Sequence, residues 1–431
     1  MPVPTEPAAA ANRSDRPDQP VRLASAAVFA VFVLNGFTFA NWASRIPAVR
    51  DDLTLTAAEV GVLLLIGSIG SLLALPLSGL VVQRIGARRT VLTFAVASNS
   101  GLLVAAAGVQ TGHLVVVGVG LVVFGAGTGV WDASMNLAGA AVEQRLGRAI
   151  MPRFHAGFSV GTMAGAGVGA LAASLHATIL GHLAIALSIS LLGVFWAVRW
   201  FLPEAAAGHA STADDAASAS PADAAGPASR ARHAFGAWLE ARTLLIGLVV
   251  LAAALTEGSA NDWVGLAVVD GFAQTHAVGA LTFGLFVTAM TGMRLLGTGL
   301  LDRYGRVFVL RVCASLSIVG LLIFGLVPSL PFALVGVILW GAGAALGFPV
   351  GMSAASDDPH LAAARLSVVS TIGYTAFLAG PPLLGLLASQ VGYRHALLAI
   401  AVPVIVGLLV LPATAPLPTA AGRSKVAERR G

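Results

Sequence analysis

Charged residues are scarce in this sequence. Only 10% of its 431 residues are Asp, Glu, Lys or Arg, while 57% are hydrophobic, whereas soluble domains carry about 25% charged residues. This composition excludes a soluble globular protein, and the abundance of apolar residues excludes an intrinsically disordered chain. A polytopic membrane protein is the class that remains.

Residues typical of catalytic and metal-binding sites are also few. The single cysteine, Cys313, excludes an intramolecular disulfide and a cysteine-based metal site. The nine histidines are scattered without ligand spacing, and no Walker-type glycine loop with lysine is present. We therefore expect no metal and no cofactor. Because the apolar runs contain no nucleophile-base pair, we do not expect an enzyme.

Apolar windows alternate with polar segments along most of the chain. A helix needs about 20 residues to cross roughly 30 Å of hydrocarbon. The windows predict twelve membrane spans near residues 22–43, 58–82, 91–109, 114–137, 154–175, 182–202, 242–264, 278–300, 307–327, 332–354, 366–389 and 395–414. The runs show no apolar-polar alternation of the kind found in β-barrels. The sequence thus predicts an all-α membrane protein within a lipid bilayer.

The distribution of Lys and Arg predicts the orientation of these spans. If both termini are cytoplasmic, 21 of the 25 basic residues fall on the cytoplasmic side, as expected from the positive-inside rule. Arg45, Arg50 and Arg394 fall outside, and Arg294 lies within the eighth span. Since the net charge of +5 comes from single basic residues between apolar runs, we expect no nucleic-acid partner.

The long polar segment after the sixth span divides the chain into two halves. It is rich in Ala, Ser, Asp and Pro and has almost no large apolar residue, so it is predicted to be a disordered linker. The predicted organisation is a disordered cytoplasmic tail, a six-helix half, a cytoplasmic linker, a second six-helix half and a cytoplasmic tail, at residues 1–21, 22–202, 203–241, 242–414 and 415–431.

Short motifs recur between the halves at nearly constant offset, which is a sign of internal duplication. They occur in equivalent spans and in the same order. The pairs are Gln83-Arg84-Ile85-Gly86 with Asp302-Arg303-Tyr304-Gly305, Ala40-Asn41-Trp42 with Ala260-Asn261-Asp262-Trp263, and Gly125-Ala126-Gly127 with Gly341-Ala342-Gly343. The sequence therefore predicts two pseudo-symmetric halves.

These motifs resemble those of the major facilitator superfamily. The basic loop at residues 79–89 is similar to the superfamily signature between spans two and three, and a reduced copy follows span eight. Gln83 stands where an acid is common, which puts the charge relay of that loop in doubt. Segments 40–47, 135–161 and 380–385 resemble a bacterial branch near the fucose permeases.

The resemblance implies a transporter in the bacterial plasma (inner) membrane. Its halves would rock about a central site formed by spans one, four, seven and ten, so that a small-molecule substrate gains access from alternate sides. The two signature loops then supply candidate gating residues, which are Gln83, Arg84, Asp302 and Arg303.

Ionisable residues inside a span are costly and normally face a cavity or a partner. Asp132 lies toward the cytoplasmic side of span four, and Arg294 lies at similar depth in span eight. Asp132 is interpreted either as a proton-coupling carboxyl or as a structural partner of Arg294 in a cytoplasmic gate. Both interpretations stay open at this point.

Glu257 lies near the middle of span seven, where such folds place their binding sites. It is a candidate proton carrier or substrate ligand, and the competing interpretation is a glutamate bonded to a neighbouring Ser or Asn. Four asparagines within the spans could bind a polar solute or join helices by hydrogen bonds: Asn35, Asn41, Asn136 and Asn261.

Tryptophans near these polar residues suit stacking on a sugar face. Most are also explained by the enrichment of Trp at membrane interfaces, since they fall near predicted helix ends: Trp42, Trp196, Trp200 and Trp263. Trp131 does not fall near a predicted helix end, and it remains a candidate for substrate binding. Glycines repeat every four residues at 157, 161, 165 and 169 on one face of span five, which predicts close helix packing.

Prolines interrupt spans ten and eleven, at Pro349 and at the pair Pro381-Pro382. They predict helix breaks, which are interpreted as bending elements of a gate or as kinks without a gating role.

The function predicted from these features is secondary active transport of a small polar solute, coupled to protons, with a sugar-like substrate favoured by the fucose-permease resemblance. The alternatives are efflux of drugs or metabolites, for which the glycine-proline pattern expected in span five is missing, and a non-transporting membrane sensor. A sensor would need an output domain, which the linker and tails do not provide.

Overall fold

The protein is described here by a computed structural model. It describes residues 19–146, 150–202, 236–358 and 361–416. Within those ranges every regular element is a helix, which confirms the all-α class. The predicted tails and linker fall mainly at 1–18, 203–235 and 417–431, outside the described residues.

Within each half the helices follow one another with short connections. In chain order they are α1 (Gln19–Ala43), α2 (Ile46–Asp52), α3 (Ala57–Thr111), α4 (Leu114–Leu146), α5 (Met151–Ser174), α6 (Ile179–Ala197), α7 (Ala241–Gly271), α8 (His276–Tyr304), α9 (Arg306–Leu326), α10 (Leu330–Ala344), α11 (Gly347–Ala355), α12 (Ala362–Val391), α13 (Tyr393–Ala396) and α14 (Ala401–Val410).

Helix α3 contains two membrane spans. Its 55 residues would extend about 80 Å as one straight helix at 1.5 Å per residue, far more than a bilayer core needs. The backbone leaves helical geometry at Gly86, where φ is 79° and ψ is 158°. The described chain has eleven helical segments that are long and apolar enough to cross a membrane. With α3 divided at Gly86, they provide the twelve predicted crossings.

The internal duplication is visible in the backbone. Gly305, at the copy of the Gly86 position, has φ 77° and ψ 162°, in a region that side chains other than glycine rarely adopt. The first glycine of the 125–127 triplet lies against Gly67 of α3, and the first glycine of the 341–343 triplet lies against Phe286 of α8. Equivalent glycines therefore make equivalent helix contacts in the two halves.

The proline interruptions have different outcomes in the two spans. Span ten is divided, because α10 ends at Ala344 and α11 begins at Gly347, two residues before Pro349. Helix α12 instead continues through Pro381 and Pro382, so the predicted break of span eleven is wrong.

The halves pack against each other at one end of the molecule. At the end that carries α2, a single apolar cluster contains Trp42 of the first half and Trp263 and Leu384 of the second. The second-half part of this cluster continues to Val309 and Leu411 at the opposite end. There the first half has its own cluster around Phe154 and a small second-half cluster surrounds Val369, and no cluster joins the described residues of the two halves. We call these the closed end and the open end.

Backbone atoms meet directly along part of this seam. A Cβ on Gly61 of α3 would lie 2.6 Å from the carbonyl oxygen of Pro381 in α12, and a Cβ on Gly385 would lie 2.6 Å from that of Ala57. The two halves thus approach each other here without intervening side chains.

The repeated glycines of α5 pack on α1, as predicted. A Cβ on Gly161 would overlap the carbonyl oxygen of Val33, and one on Gly165 would lie 2.7 Å from that of Phe37. Small residues allow such close helix approach, and the resulting van der Waals packing stabilises helix pairs in a membrane.

Replacing Gly161 with Ala is expected to destabilise the protein by about 1–3 kcal/mol, because α1 must move to admit the methyl group. The measurement is thermal unfolding of purified protein in detergent. The matched control is Gly167→Ala in the same helix, where the added Cβ would have no atom within 4 Å. Equal melting temperatures for the two variants would contradict this view of the α1–α5 contact.

Candidate functional site

Asp132 lies half-buried near the middle of α4. Within the described residues, its carboxylate has no hydrogen-bond or ion-pair partner. Asn136, one turn further along the helix, donates from Nδ2 to the backbone oxygen of Asp132 at 2.9 Å. A carboxylate at this depth without a protein partner is costly when ionised, so Asp132 is free to bind a proton or a ligand.

Glu257 of α7 forms an ion pair with Arg294 of α8, with 2.8 Å between Oε2 and Nη2. Both side chains are about one quarter exposed. The predicted pair between Asp132 and Arg294 is therefore not formed in this structure, because Arg294 is held within its own half. The competing interpretation, in which a neighbouring Ser or Asn satisfies Glu257, is also not observed, since its partner is an arginine.

Arg294 makes a second contact with the main chain. Its Nε donates to the carbonyl oxygen of Ala345 at 3.1 Å, in the two-residue gap between α10 and α11. The side chain thus contacts both α7 and span ten.

Polar groups on the two halves approach each other across the seam. His155 of α5 is exposed and lies within electrostatic range of Arg294. Tyr374 of α12 is exposed and lies within the same range of Asp132. Asp132 and Arg294 therefore each have a polar group of the opposite half nearby, which places both residues beside the seam.

Two further polar residues of α7 lie beside this region. Asn261 and Asp262 are half-buried one turn beyond Glu257, and neither has a hydrogen-bond partner in the part of the chain that the structure describes. Gly265, on the next turn, lies 3.5 Å from Pro47 of the first half, measured from an added Cβ. This face of α7 therefore points toward the seam.

Three predicted site residues lie inside the first half instead. Trp131 and Asn41 are fully buried and Asn35 nearly so. Asn41 accepts a hydrogen bond from Nε2 of His182 at 2.8 Å and donates to the carbonyl oxygen of Phe37 at 2.8 Å. Asn41 therefore joins α1 to α6, and Trp131 is not available for stacking on a solute in this structure.

The four tryptophans near predicted helix ends differ in exposure, and only two of them could face a membrane interface. Trp196 and Trp200 are exposed, whereas Trp42 and Trp263 are 4% and 1% exposed. Trp263 packs against Tyr393 with 5.8 Å between ring centroids. The prediction was wrong for Trp42 and Trp263 because sequence position gives depth in the membrane but not direction.

The candidate gating residues of the signature loops lie exposed at the open end: Gln83, Arg84, Asp302 and Arg303. Arg303 lies over the ring of Tyr304, 5.3 Å from its centroid. No ion pair between the halves involves these four within the described residues, so their gating role stays a prediction.

A network of ion pairs joins the helices of the second half at its open end. Asp357 binds Arg242 at 2.9 Å and Arg306 at 2.7 Å. Glu240 binds Arg365 at 2.7 Å, and this hydrogen bond holds the pKa of Glu240 below its ordinary value. The sequence presented these arginines only as topology signals, and the structure shows that they also connect helices.

An ion pair and a histidine–carboxylate hydrogen bond join the halves at the closed end, and sequence reasoning missed both. Arg50 binds Asp270 at 2.6 Å, and Asp51 binds His276 at 2.7 Å. Arg50 also lies over the ring of Tyr393. The available signal was the charge after span one together with an acid and a histidine around the loop between spans seven and eight. Their pairing required the three-dimensional arrangement of the halves.

Two segments of the chain, residues 28–378 and 300–430, match the family model described as Major Facilitator Superfamily. The chain belongs to this superfamily. A similar protein is the "Uncharacterized transporter y4wD" of Sinorhizobium fredii, which is 31% identical over 391 residues that cover 88% of this chain and 97% of that protein. The multi-pass helical architecture agrees with this membership.

Solved structures of other transporters have the same fold. The nucleoside transporter NupG gives a TM-score of 0.67 at 16% identity and covers 92% of this chain and 99% of its own. The E. coli fucose:proton symporter FucP gives 0.59 at 13% identity and covers 93% and 100%. The fucose symporter is thus among the structural neighbours, and at these identities the likeness shows the fold alone.

Removing the cross-half pair with Asp270→Asn is expected to let the closed end of this superfamily member separate more often. A partly exposed ion pair contributes up to about 1 kcal/mol, which corresponds to roughly a fivefold change in population. The measurement is the distance distribution between spin labels on His113→Cys and Gln390→Cys, which are exposed at the closed end on opposite halves. The native Cys313 is buried.

The matched control for this experiment is Asp52→Asn. Asp52 is exposed on α2, and no ion pair involving it is found in the described ranges. The Asp270→Asn distribution is expected to shift to longer distances while that of Asp52→Asn stays unchanged. Identical distributions for both variants would show that the Arg50–Asp270 pair does not hold the closed end.

Proposed function

We propose that the protein is a proton-coupled secondary transporter that moves a small polar solute across the bacterial plasma membrane by alternating access. The observation that supports this most is the asymmetry of the seam. One apolar cluster shared by both halves, the Arg50–Asp270 ion pair and the Asp51–His276 hydrogen bond close one end, while no apolar cluster joins the described residues of the two halves at the other end. Two halves that meet at one end only are arranged to admit a solute from the other.

The positive-inside tally assigns the open end to the cytoplasm, with both termini on that side. The exposed arginines of the signature loops lie at this end, and the cross-half pairs of Arg50 and Asp51 then close the outer side. The structure thus corresponds to the inward-open state of the proposed cycle.

Asp132 and Glu257 are the proposed proton-coupling and substrate-binding carboxyls. Asp132 has no protein partner in the described chain, so a proton can neutralise it without breaking an ion pair, and burial of a carboxyl favours its neutral form. Glu257 is paired with Arg294 and is proposed to bind substrate together with the neighbouring Asn261. Asn136 remains a further candidate on the α4 face.

A sugar or related polar solute is the proposed substrate class. The structural neighbours named above are described as a nucleoside transporter and a fucose:proton symporter, and both kinds of substrate carry several hydroxyl groups. Amide and carboxyl groups on α4 and α7 supply the hydrogen bonds that such a solute requires.

The second candidate function is efflux of a cationic solute. Asp132 and Asp262 carry no protein partner within the described residues, and Tyr374 and Phe377 form an exposed aromatic pair with 6.3 Å between ring centroids. Carboxylates with nearby aromatic faces suit an organic cation.

The test is uptake into proteoliposomes of purified protein, with a panel of labelled monosaccharides, nucleosides and organic cations. One proton per substrate allows about tenfold accumulation for a gradient of one pH unit. Asp132→Asn is expected to reduce accumulation to equilibrium while sparing solute exchange. Normal gradient-driven accumulation in that variant would contradict proton carriage by Asp132.

Glu257→Gln is expected to abolish substrate binding or proton coupling, because it removes the charge near the middle of the membrane. The readouts are substrate binding to detergent-purified protein and accumulation in the same vesicles, with Asp52→Asn as the control outside the site. Wild-type values in both assays would exclude Glu257 from either role. Transport of cations alone, driven outward, would favour the efflux alternative.

A further inference from the structure

The gap in span ten leaves one backbone acceptor without its helical donor. In a continuous α-helix, the N–H of residue 349 would donate to the carbonyl oxygen of Ala345. Pro349 has no N–H, so this bond cannot form. Ala345 is fully buried, and an unsatisfied carbonyl in an apolar interior is costly.

Arg294 supplies the missing donor. Its Nε donates to the Ala345 carbonyl oxygen at 3.1 Å, and its Nη2 donates to Glu257 at 2.8 Å. The planar guanidinium holds its N–H groups in fixed directions, so one side chain can satisfy both acceptors. A lysine ammonium lacks this geometry.

Helix α11 connects this contact to the open end. A Cβ on Gly347 would lie 2.7 Å from Ala253, and Gly351 packs against Val250, both on α7. Asp357, just beyond α11, forms the ion pairs with Arg242 and Arg306. A change at the Ala345 gap can therefore move the part of span ten that carries the ion-pair network.

We propose that Arg294 is a positioning residue that couples the charge of Glu257 to the bend of span ten. While Glu257 is ionised, it holds the guanidinium against the Ala345 carbonyl and stabilises the bend. When Glu257 loses its charge or binds a ligand, the guanidinium is released and α11 is free to reorient. The proposal rests on the proposed function, since it assigns a consequence to events at the transport site.

Three other charged or titratable groups lie near this contact. His155 faces Arg294 from α5, Tyr374 lies on α12 near Asp132, and Asp262 lies on α7 itself. None of them contacts the Ala345 carbonyl within the described residues. The ordinary alternative is that Arg294 only neutralises Glu257, in which case the proline and the carbonyl play no part.

A double-mutant cycle separates these possibilities. Pro349→Ala restores the N–H that can bond to Ala345, so the carbonyl no longer depends on Arg294. Arg294→Gln is expected to lower the melting temperature of the detergent-purified protein, and to lower it about half as much or less in the Pro349→Ala background. Equal lowering in both backgrounds would overturn the proposal.

The matched control is Pro381→Ala, which restores an N–H within α12, away from Arg294. The effect of Arg294→Gln is expected to be the same with and without this substitution. Arg294→Lys keeps the positive charge. Like Arg294→Gln, it is expected to lower the melting temperature, and to lower it less in the Pro349→Ala background. Wild-type stability of Arg294→Lys would show that charge alone is sufficient.

A distance measurement tests the coupling itself. Spin labels on Leu80→Cys in α3 and Ser353→Cys in α11 report the width of the open end, because both residues are exposed there on opposite halves. Glu257→Gln is expected to shift this distance, and the shift is expected to disappear in the Pro349→Ala background. An equal shift in both backgrounds would mean that Glu257 acts by another route.

Neither measurement uses a substrate or a proton gradient. Failure of the cycle with normal proton-driven uptake would remove the coupling role of Arg294 and leave the proposed function intact. Coupling in the double-mutant cycle without any solute uptake would support the role of Arg294 and contradict the proposed function.

Discussion

Every backbone N–H and C=O within the hydrocarbon needs a partner from the protein, because no water is available there. This requirement explains why the described chain is helical throughout its spans and why departures from helix are few. Gly86 places its departure between two spans. The gap before Pro349 lies inside the membrane, and there the freed carbonyl of Ala345 is bonded by Arg294. The position of one proline thus determines where a charged residue is needed.

The charges are distributed so that most are satisfied within one half. The network around Asp357 and the Glu257–Arg294 pair belong entirely to the second half, and the pairs of Arg50 and Asp51 bridge the halves at the closed end. The halves can therefore separate or meet as rigid units with little change in their internal ion pairs. Asp132 and Asp262 are exceptions, since both lie beside the region between the halves without a partner in the described chain.

Much of this architecture was predictable because it is encoded in local pattern. Apolar windows gave the spans, and the repeated motifs gave the two halves. The direction in which each side chain points from its helix was not predictable. Trp131 and Asn41 were expected near a solute but point into the first half, since periodicity of an almost uniformly apolar helix does not show which side faces the partner helices. The partner of Arg294 was also missed, because depths counted along the predicted spans matched Arg294 to Asp132. Only the packing of α7 on α8 brings Glu257 to Arg294.

The glycine contacts between α3 and α12 have a mechanical consequence. Interdigitated side chains must repack when two surfaces part, whereas Gly61 and Gly385 present smooth backbone to their neighbours. Such a surface has few interlocking side chains, so it resists sliding only weakly. The free energy that holds the closed end together then comes from the surrounding apolar cluster and the peripheral ion pairs. The barrier to rocking of the two halves is therefore low, while the closed arrangement of this end stays strongly favoured.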